Sequence, residues 1–302
     1  MINVNEFSIS DAVLEQHADC ESPRLKTVMT SLVNHLHNFA REVRLSEEEW
    51  MLAIDFLTRV GHITDDRRQE FILLSDTLGL SMLVNALNNQ KDEGCTESTV
   101  FGPFFVEDAP HFELGDDIAQ GASGELCFVS GRVLNRQGEG IPGAEIQVWQ
   151  CDDEGFYDVQ YAELAKAQCR GVLRGAADGG FNFRSVLPVP YPIPHDGPVG
   201  QMLEALGRHP WRPAHLHFMI KAPGYQTLIT HIFRDDDQYL ESDAVFGVRS
   251  SLVAHWKSHP AGQAPDGTYS EHAFHSLNFD FVLQPDVVKG TTHTTRQTGA
   301  LA

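Results

Sequence analysis

The sequence predicts an α+β chain: an amino-terminal helical domain over residues 1–105, then a mostly antiparallel β-sandwich, or alternatively a barrel, over residues 106–302. Three observations predict it. Before residue 105, apolar residues recur with the period of a helix. After it, short alternating runs take over, punctuated by Gly, Pro and Asp. The chain has 302 residues, 42% hydrophobic and 21% charged, which is ordinary globular composition and enough for one large or two ordinary domains.

The helical part divides into three stretches. Pro23 stands near the start of the first, whose apolar residues are Leu25, Val28, Met29, Leu32, Val33, Leu36 and Phe39. Ser46 and Glu49 form a capping box that opens the second, with Trp50, Ile54, Leu57 and Val60 expected inward. The third runs from about Asp66 to Asn88, through Phe71, Leu74, Leu78, Leu80, Leu83 and Leu87. Strand patterns then follow at Glu125 to Leu134, Ala144 to Gln150, Gly180 to Leu187, Ala214 to Ala222, Thr227 to Phe233 and Asn278 to Leu283. Turn clusters at 135–140, 152–155, 178–180 and 235–237 separate them. Lys289 to Ala302 is polar and Thr-rich and reads as a loose tail.

Charge and cysteines bound the function. A net charge of −20 argues against nucleic acid and anionic membrane as partners. Five cysteines, an odd number without a CxxC, argue against a disulfide framework and a cysteine-based zinc knuckle. MINVNEFSIS has no basic segment followed by an apolar run, and no stretch has the length of a membrane span, so a soluble cytoplasmic protein is expected.

Chemistry concentrates in Trp211-Arg-Pro-Ala-His215-Leu-His217-Phe218. On a strand, side chains two apart share a face, with Cα atoms about 7 Å apart. His215, His217 and Met219 therefore point one way, and Leu216, Phe218 and Ile220 the other. Two such imidazoles can reach one ion, or can be a solvated pair on an exposed strand. Tyr191 lies inside Pro188-Val-Pro-Tyr-Pro-Ile-Pro194, which proline bars from an inner strand or helix. Tyr157 follows the sharp turn Asp152-Asp-Glu-Gly-Phe. Each tyrosine can be a half-buried ring with its hydroxyl paired. Alternatively, as tyrosinate, it needs a strong positive neighbour, because a phenol ordinarily loses its proton near pH 10. A ferric ion suits two phenolates and two imidazoles.

These segments resemble the intradiol ring-cleavage dioxygenases. The resemblance rests on Gly131-Arg-Val-Leu134, Ile141-Pro-Gly-Ala144, Val148-Trp-Gln150 leading to Tyr157, Pro190-Tyr-Pro-Ile-Pro194 and Arg212-Pro-Ala-His-Leu-His217. The helical front half also fits that family. Within it, the hydroxyquinol 1,2-dioxygenase branch is most similar, through Glu70-Phe-Ile-Leu-Leu-Ser-Asp76, Glu97-Ser-Thr-Val-Phe-Gly-Pro-Phe-Phe105 and Tyr239 to Val248.

The resemblance implies one non-haem Fe(III) per subunit, held by Tyr157, Tyr191, His215 and His217. It implies a pocket lined by Leu73, Asp76, Val100, Phe101, Gly102, Pro103, Phe104, Ile193, Pro194, Arg212 and Val245. For most of these the plain alternative is core packing. Asp76 can accept the third hydroxyl of a trihydroxybenzene, or can pair locally in its helix. Arg212 can stabilise negative charge on the ring, or can form a surface salt bridge. His231 stands where catechol-cleaving members commonly carry Gln, and is expected beside the metal rather than on it, as a catalytic donor to the substrate or to the iron's hydroxide.

The implied reaction uses O2 in aromatic catabolism. A phenolic substrate chelates the iron through adjacent hydroxyls, Tyr191 leaves the metal and takes a proton, and oxygen enters between the two hydroxyl-bearing carbons. From hydroxyquinol the product is 3-hydroxy-cis,cis-muconate, the enol of maleylacetate. Catechol or chlorocatechol 1,2-dioxygenase activity is the alternative within the family. A zinc hydrolase on His215, His217 and His231, and a non-enzymatic binding module, are the alternatives outside it. The resemblance further implies a homodimer through the helical domain, in some members with phospholipid held between subunits.

Overall fold

The computed structural model describes residues 3–65 and 68–286. The chain forms two compact units, residues 1–62 and 63–302. The expected tail at Lys289 to Ala302 lies outside the described residues.

The first unit contains α1 (Ile9–Glu15), α2 (Pro23–Val43) and most of α3 (Glu47–Ile63). Pro23 occupies the first turn of α2, where a missing N–H costs nothing, and the Ser22 hydroxyl accepts from Leu25 N at 3.2 Å. The expected capping box forms: Glu49 N donates to Ser46 Oγ at 3.2 Å and Ser46 N donates to Glu49 Oε2 at 2.9 Å. One expectation fails on α3. Val60 is buried, but Trp50, Ile54 and Leu57 are exposed. The apolar face of α2, including Leu25, Leu32, Leu36 and Phe39, is exposed as well.

The second unit opens with α4 (Glu70–Thr77) and α5 (Leu80–Asn88). The single helix expected from Asp66 to Asn88 is thus two, bent by 77°. Gly79 makes the break: its φ of +74° belongs to the left-handed region, which ends a helix cheaply only at glycine. Although their texture is helical, α4 and α5 belong to the compact unit that holds the sheets. No described helix is by itself long and apolar enough to cross a membrane; the bent α4–α5 pair meets that test only jointly.

The strands are β1 (Leu126–Leu134), β2 (Glu145–Trp149), β3 (Arg170–Arg174), β4 (Gly180–Val186), β5 (Tyr191–Pro192), β6 (Trp211–Arg212), β7 (His215–Lys221), β8 (Leu228–Arg234), β9 (Val253–Ala254), β10 (Lys257–His259), β11 (Gly262–Gln263), β12 (Tyr269–Ser270), β13 (Phe274–Asn278) and β14 (Phe281–Val282). A helix, α6 (Pro198–Ala205), lies between β5 and β6. One main sheet runs β10-β13-β1-β14 with β4 beside β1, and the other runs β3-β2-β7-β8-β9. Most pairs are antiparallel, as expected; β1 with β13 and with β14, and β8 with β9, are parallel. β3 gave no alternating signal, since every residue but the last is buried.

The core lies between the two sheets. Val129, Val133 and Phe183 from one meet Ile146, Val148, Leu216, Phe218 and Ile220 from the other. Each such side chain contributes about 1.5–3 kcal/mol by leaving water. Strand alternation then forces His215, His217 and Met219 to the opposite face of β7. There Met219 packs with Trp149, Cys151, Tyr157 and Tyr191 in a separate cluster. The site is therefore the outer face of the second sheet, roofed by loops.

Candidate metal centre

Four strands carry a row of polar and aromatic side chains across that face. Arg170 on β3 stands opposite Trp149 on β2, Trp149 opposite His217 on β7, and His217 opposite His231 on β8. The Trp149 indole stacks on the His217 imidazole, with centroids 4.7 Å apart and planes 18° apart. His231 stacks on His215, also at 4.7 Å.

The two tyrosines come from loops aimed at this row. Beyond β2, Asp152 Oδ1 accepts from Glu154 N and Phe156 N, both at 3.0 Å, and closes the sharp turn before Tyr157. Gly155 is required there. Its φ is +83°, and a β-carbon on it would lie 2.9 Å from Tyr191 Cβ. Tyr191 sits in β5, paired with Arg212 of β6, so a two-residue ribbon holds the proline-rich segment beside the histidine strand.

The donor atoms converge. Tyr157 Oη lies 2.9 Å from His217 Nε2 and 3.3 Å from Tyr191 Oη. His215 Nε2 lies 3.0 Å from His217 Nε2. His215 Nδ1 donates to the Pro213 carbonyl at 2.7 Å. A carbonyl can only accept, so the lone pair of His215 is on Nε2, where Arg212 Nη1 donates to it at 3.2 Å. All four residues are buried, which excludes a solvated histidine pair and half-exposed tyrosines.

Burial sets the charge states. It pushes the Tyr157 hydroxyl well above the usual phenol range, with neighbouring Tyr191 adding to the effect. It also raises Tyr191, while the Arg212 guanidinium pulls the other way. Burial, then the charge of Arg212, lowers His215 to about 3, and His217 and His231 fall well below the ordinary histidine value for the same main reason. The set is thus two neutral imidazoles and two phenols that ionise only beside a strong cation.

That set fits a metal ion. Ligands about 2.0–2.1 Å from one ion stand about 2.9 Å apart at a right angle and about 3.4 Å at the tetrahedral angle. The observed separations span 2.9 to 3.3 Å. His231 also comes within reach, since one ligand atom from each of His215, His217 and His231 lies within 4.8 Å of the others.

Arg212 proves to be no surface residue. Its Nε donates to Asp243 Oδ1 at 3.0 Å and its Nη2 to Asp243 Oδ2 at 3.2 Å, and both side chains are buried. Nη2 also reaches His231 Nδ1 at 3.4 Å. Burial works against the charge of Arg212, but the Asp243 carboxylate overrides it and holds the guanidinium charged. Asp243 in turn is held below the usual carboxylate range by Arg212, against the cost of its own burial. Asp243 lies inside the Tyr239 to Val248 segment that the sequence singled out, though without a role. Arg170 and Asp158 had no such signal.

The expected pocket residues divide. Leu73, Asp76, Val100, Ile193 and Val245 are buried, Gly102, Phe104 and Pro194 are half-buried, and Phe101 and Pro103 are exposed. Besides Arg212, Gly102 and Phe104 lie against the centre. A β-carbon on Gly102, at φ +80°, would stand 3.1 Å from His217 Cε1. The Phe104 ring stacks on Tyr157 at 4.4 Å. Asp76 is raised by burial, lowered by a hydrogen bond with Ser81, and feels the charges of Arg212 and Asp243.

Comparison with known proteins shows the family. Residues 100–285 match the family described as Dioxygenase, and residues 22–96 match Catechol dioxygenase N terminus. The 6-chlorohydroxyquinol 1,2-dioxygenase of Cupriavidus pinatubonensis is 57% identical over 94% of this chain and 99% of its own. The hydroxyquinol 1,2-dioxygenase of Corynebacterium glutamicum is 53% identical over 93% and 94%. Among solved structures, a hydroxyquinol 1,2-dioxygenase from Pseudomonas putida superposes with a TM-score of 0.88 at 47% identity, covering 93% of this chain and 99% of that one. The catechol 1,2-dioxygenase of Pseudomonas arvilla gives 0.80 at 27% identity, covering 93% and 92%.

Proposed function

The chain belongs to the intradiol ring-cleavage dioxygenases, and from that premise we propose that it opens hydroxyquinol between its two adjacent hydroxyls with O2. The product is 3-hydroxy-cis,cis-muconate, the enol of maleylacetate. The observation that carries this reading is the buried convergence of Tyr157, Tyr191, His215 and His217, a donor set suited to a hard trivalent cation. Identity above 50% to a hydroxyquinol-cleaving relative favours hydroxyquinol over catechol. The 57% identical relative adds ring-chlorinated hydroxyquinols as accepted substrates.

Tyr157, Tyr191, His215 and His217 would hold one Fe(III) per subunit. When bound, that ion supplies the positive charge that favours phenolates and the electron demand that makes a chelated diol reactive toward O2. The chain's own groups do the rest. Tyr191 Oη takes up one substrate proton; before that, the charge of Arg212 favours its phenolate form. Arg212, fixed by Asp243, faces the negative charge that builds on the ring. Trp149 and His231 stack on the two histidines and keep their planes from turning. His231 hydrogen-bonds beside the centre rather than ligating it. The pocket residues named above, from Leu73 to Val245, enclose the ring, and Asp76 receives its third hydroxyl.

Several broader assignments belong to the same reading. The exposed apolar face of α2 supports a homodimer through the helical region, with phospholipid between the subunits. The change of sequence texture at residue 105 supports residues 1–105 as the dimerisation segment. Unpaired cysteines throughout the described residues fit a reducing compartment such as the cytoplasm. The decisive test is oxygen uptake with hydroxyquinol, catechol and chlorocatechols. Hydroxyquinol should give the highest kcat/KM; no uptake with it from iron-loaded protein refutes the assignment.

A further inference from the structure

We infer that Arg170 is a positioning residue for the Tyr157 phenol, acting through Asp158 on one side of the ring and Phe104 on the other. The inference rests on Tyr157 being a metal ligand, as proposed above. It concerns a buried ion pair that the metal-binding chemistry leaves unused.

Arg170 heads the cross-strand row that continues through Trp149 to His217. Its guanidinium is 3% exposed and the Asp158 carboxylate 7%. Nε reaches both carboxylate oxygens, at 2.8 and 2.7 Å, and Nη2 pairs with Oδ1. The same carboxylate accepts from Val159 N at 2.9 Å and Gln168 N at 3.2 Å. Asp158 follows Tyr157 directly in the chain, so this grip fixes the backbone that carries the phenol. The turn over Asp158–Gln160 closes on it as well: Gln160 Oε1 accepts from Tyr157 N at 2.8 Å.

The remaining arm of the guanidinium holds the opposite wall. Nη1 donates to the Phe104 carbonyl at 3.0 Å, and the Phe104 ring lies over Tyr157 at 4.4 Å with planes 23° apart. One rigid fork therefore ties the segment bearing the phenol to the segment stacked on it. Burying both charges costs more desolvation than a pair of apolar side chains would. General stability is a poor reason for the pair. Fixing a ring whose oxygen must meet an ion within tenths of an ångström is a better one.

The test uses Arg170→Lys, which keeps the charge but loses the fork. A second variant, Arg170→Gln with Asp158→Asn, keeps a polar pair without charge should the lysine variant fail to fold. Iron-loaded protein is read by visible absorption, where tyrosinate ligands give a charge-transfer band, and metal-free protein by crystallography. The inference expects a shifted band, a kcat lower by about ten- to a hundred-fold with KM little changed, and a Tyr157 ring moved off Phe104. An unmoved band with wild-type kcat in a folded variant overturns it. If wild-type protein shows no tyrosinate band, or Tyr157→Phe leaves it intact, the ligand assignment itself falls, and this inference with it.

Discussion

Replacing Asp243 with Asn changes one atom in a fully committed buried carboxylate. Asp243 Oδ1 accepts from Arg212 Nε and Val245 N, and Oδ2 from Arg212 Nη2 and Gly247 N. An amide keeps one accepting oxygen, so two of these four donors meet an NH2 group instead. The larger effect is charge. Arg212 would remain buried and charged without its counterion, which typically costs about 3–5 kcal/mol. For a unit of this size that corresponds to a fall in Tm of roughly 6–20 °C. Scanning calorimetry reads the stability, and oxygen uptake reads the loss of an aimed guanidinium. The double variant Arg212→Met with Asp243→Leu separates the two effects. It removes both charges, so stability should return to near wild type or better, while turnover stays low. Wild-type Tm and turnover in Asp243→Asn would show that the pair neither carries that electrostatic debt nor aims Arg212.

Three further outcomes follow from named contacts. Tyr191→Phe should weaken the visible colour and reduce turnover by about 100-fold or more, the usual worth of a positioned proton acceptor; unchanged activity would remove Tyr191 from the ligand set. Gly102→Ala should cost about 1–2 kcal/mol for a left-handed backbone and lower kcat by pressing on His217 Cε1, so an alanine variant indistinguishable in melting and turnover would show that the loop simply shifts. Native protein should react with a thiol-alkylating agent only at Cys20 and Cys95, because Cys127, Cys151 and Cys169 are buried and burial pushes the Cys151 thiol up to about 12; intact mass showing more than two adducts before denaturation would contradict the burial.

Much of this molecule was legible in the chain because local rules govern it. The capping box at Ser46 and Glu49 needs only four residues to form. The alternation of β7 put His215 and His217 on one face and Leu216, Phe218 and Ile220 on the other, and the core sits where that alternation requires. Gly79 was visible too, but whether a glycine is tolerated in a helix or breaks it depends on what the two halves pack against. That is why one long helix was expected where two stand at 77°.

By itself the sequence determined which side chains could serve an iron: the HxH strand, a tyrosine after a tight turn, another among prolines, and Arg212 three residues before His215. It could not say that Arg212 meets Asp243, that Arg170 spans Asp158 and Phe104, or that His231 stands directly opposite His217. Those pairings join residues far apart in the chain. They exist because strand register and loop closure bring them together, and register is set by packing of the whole sheet rather than by any local run. The tertiary structure also decided the charge states, since desolvation depends on everything that surrounds a group and not on its neighbours in sequence.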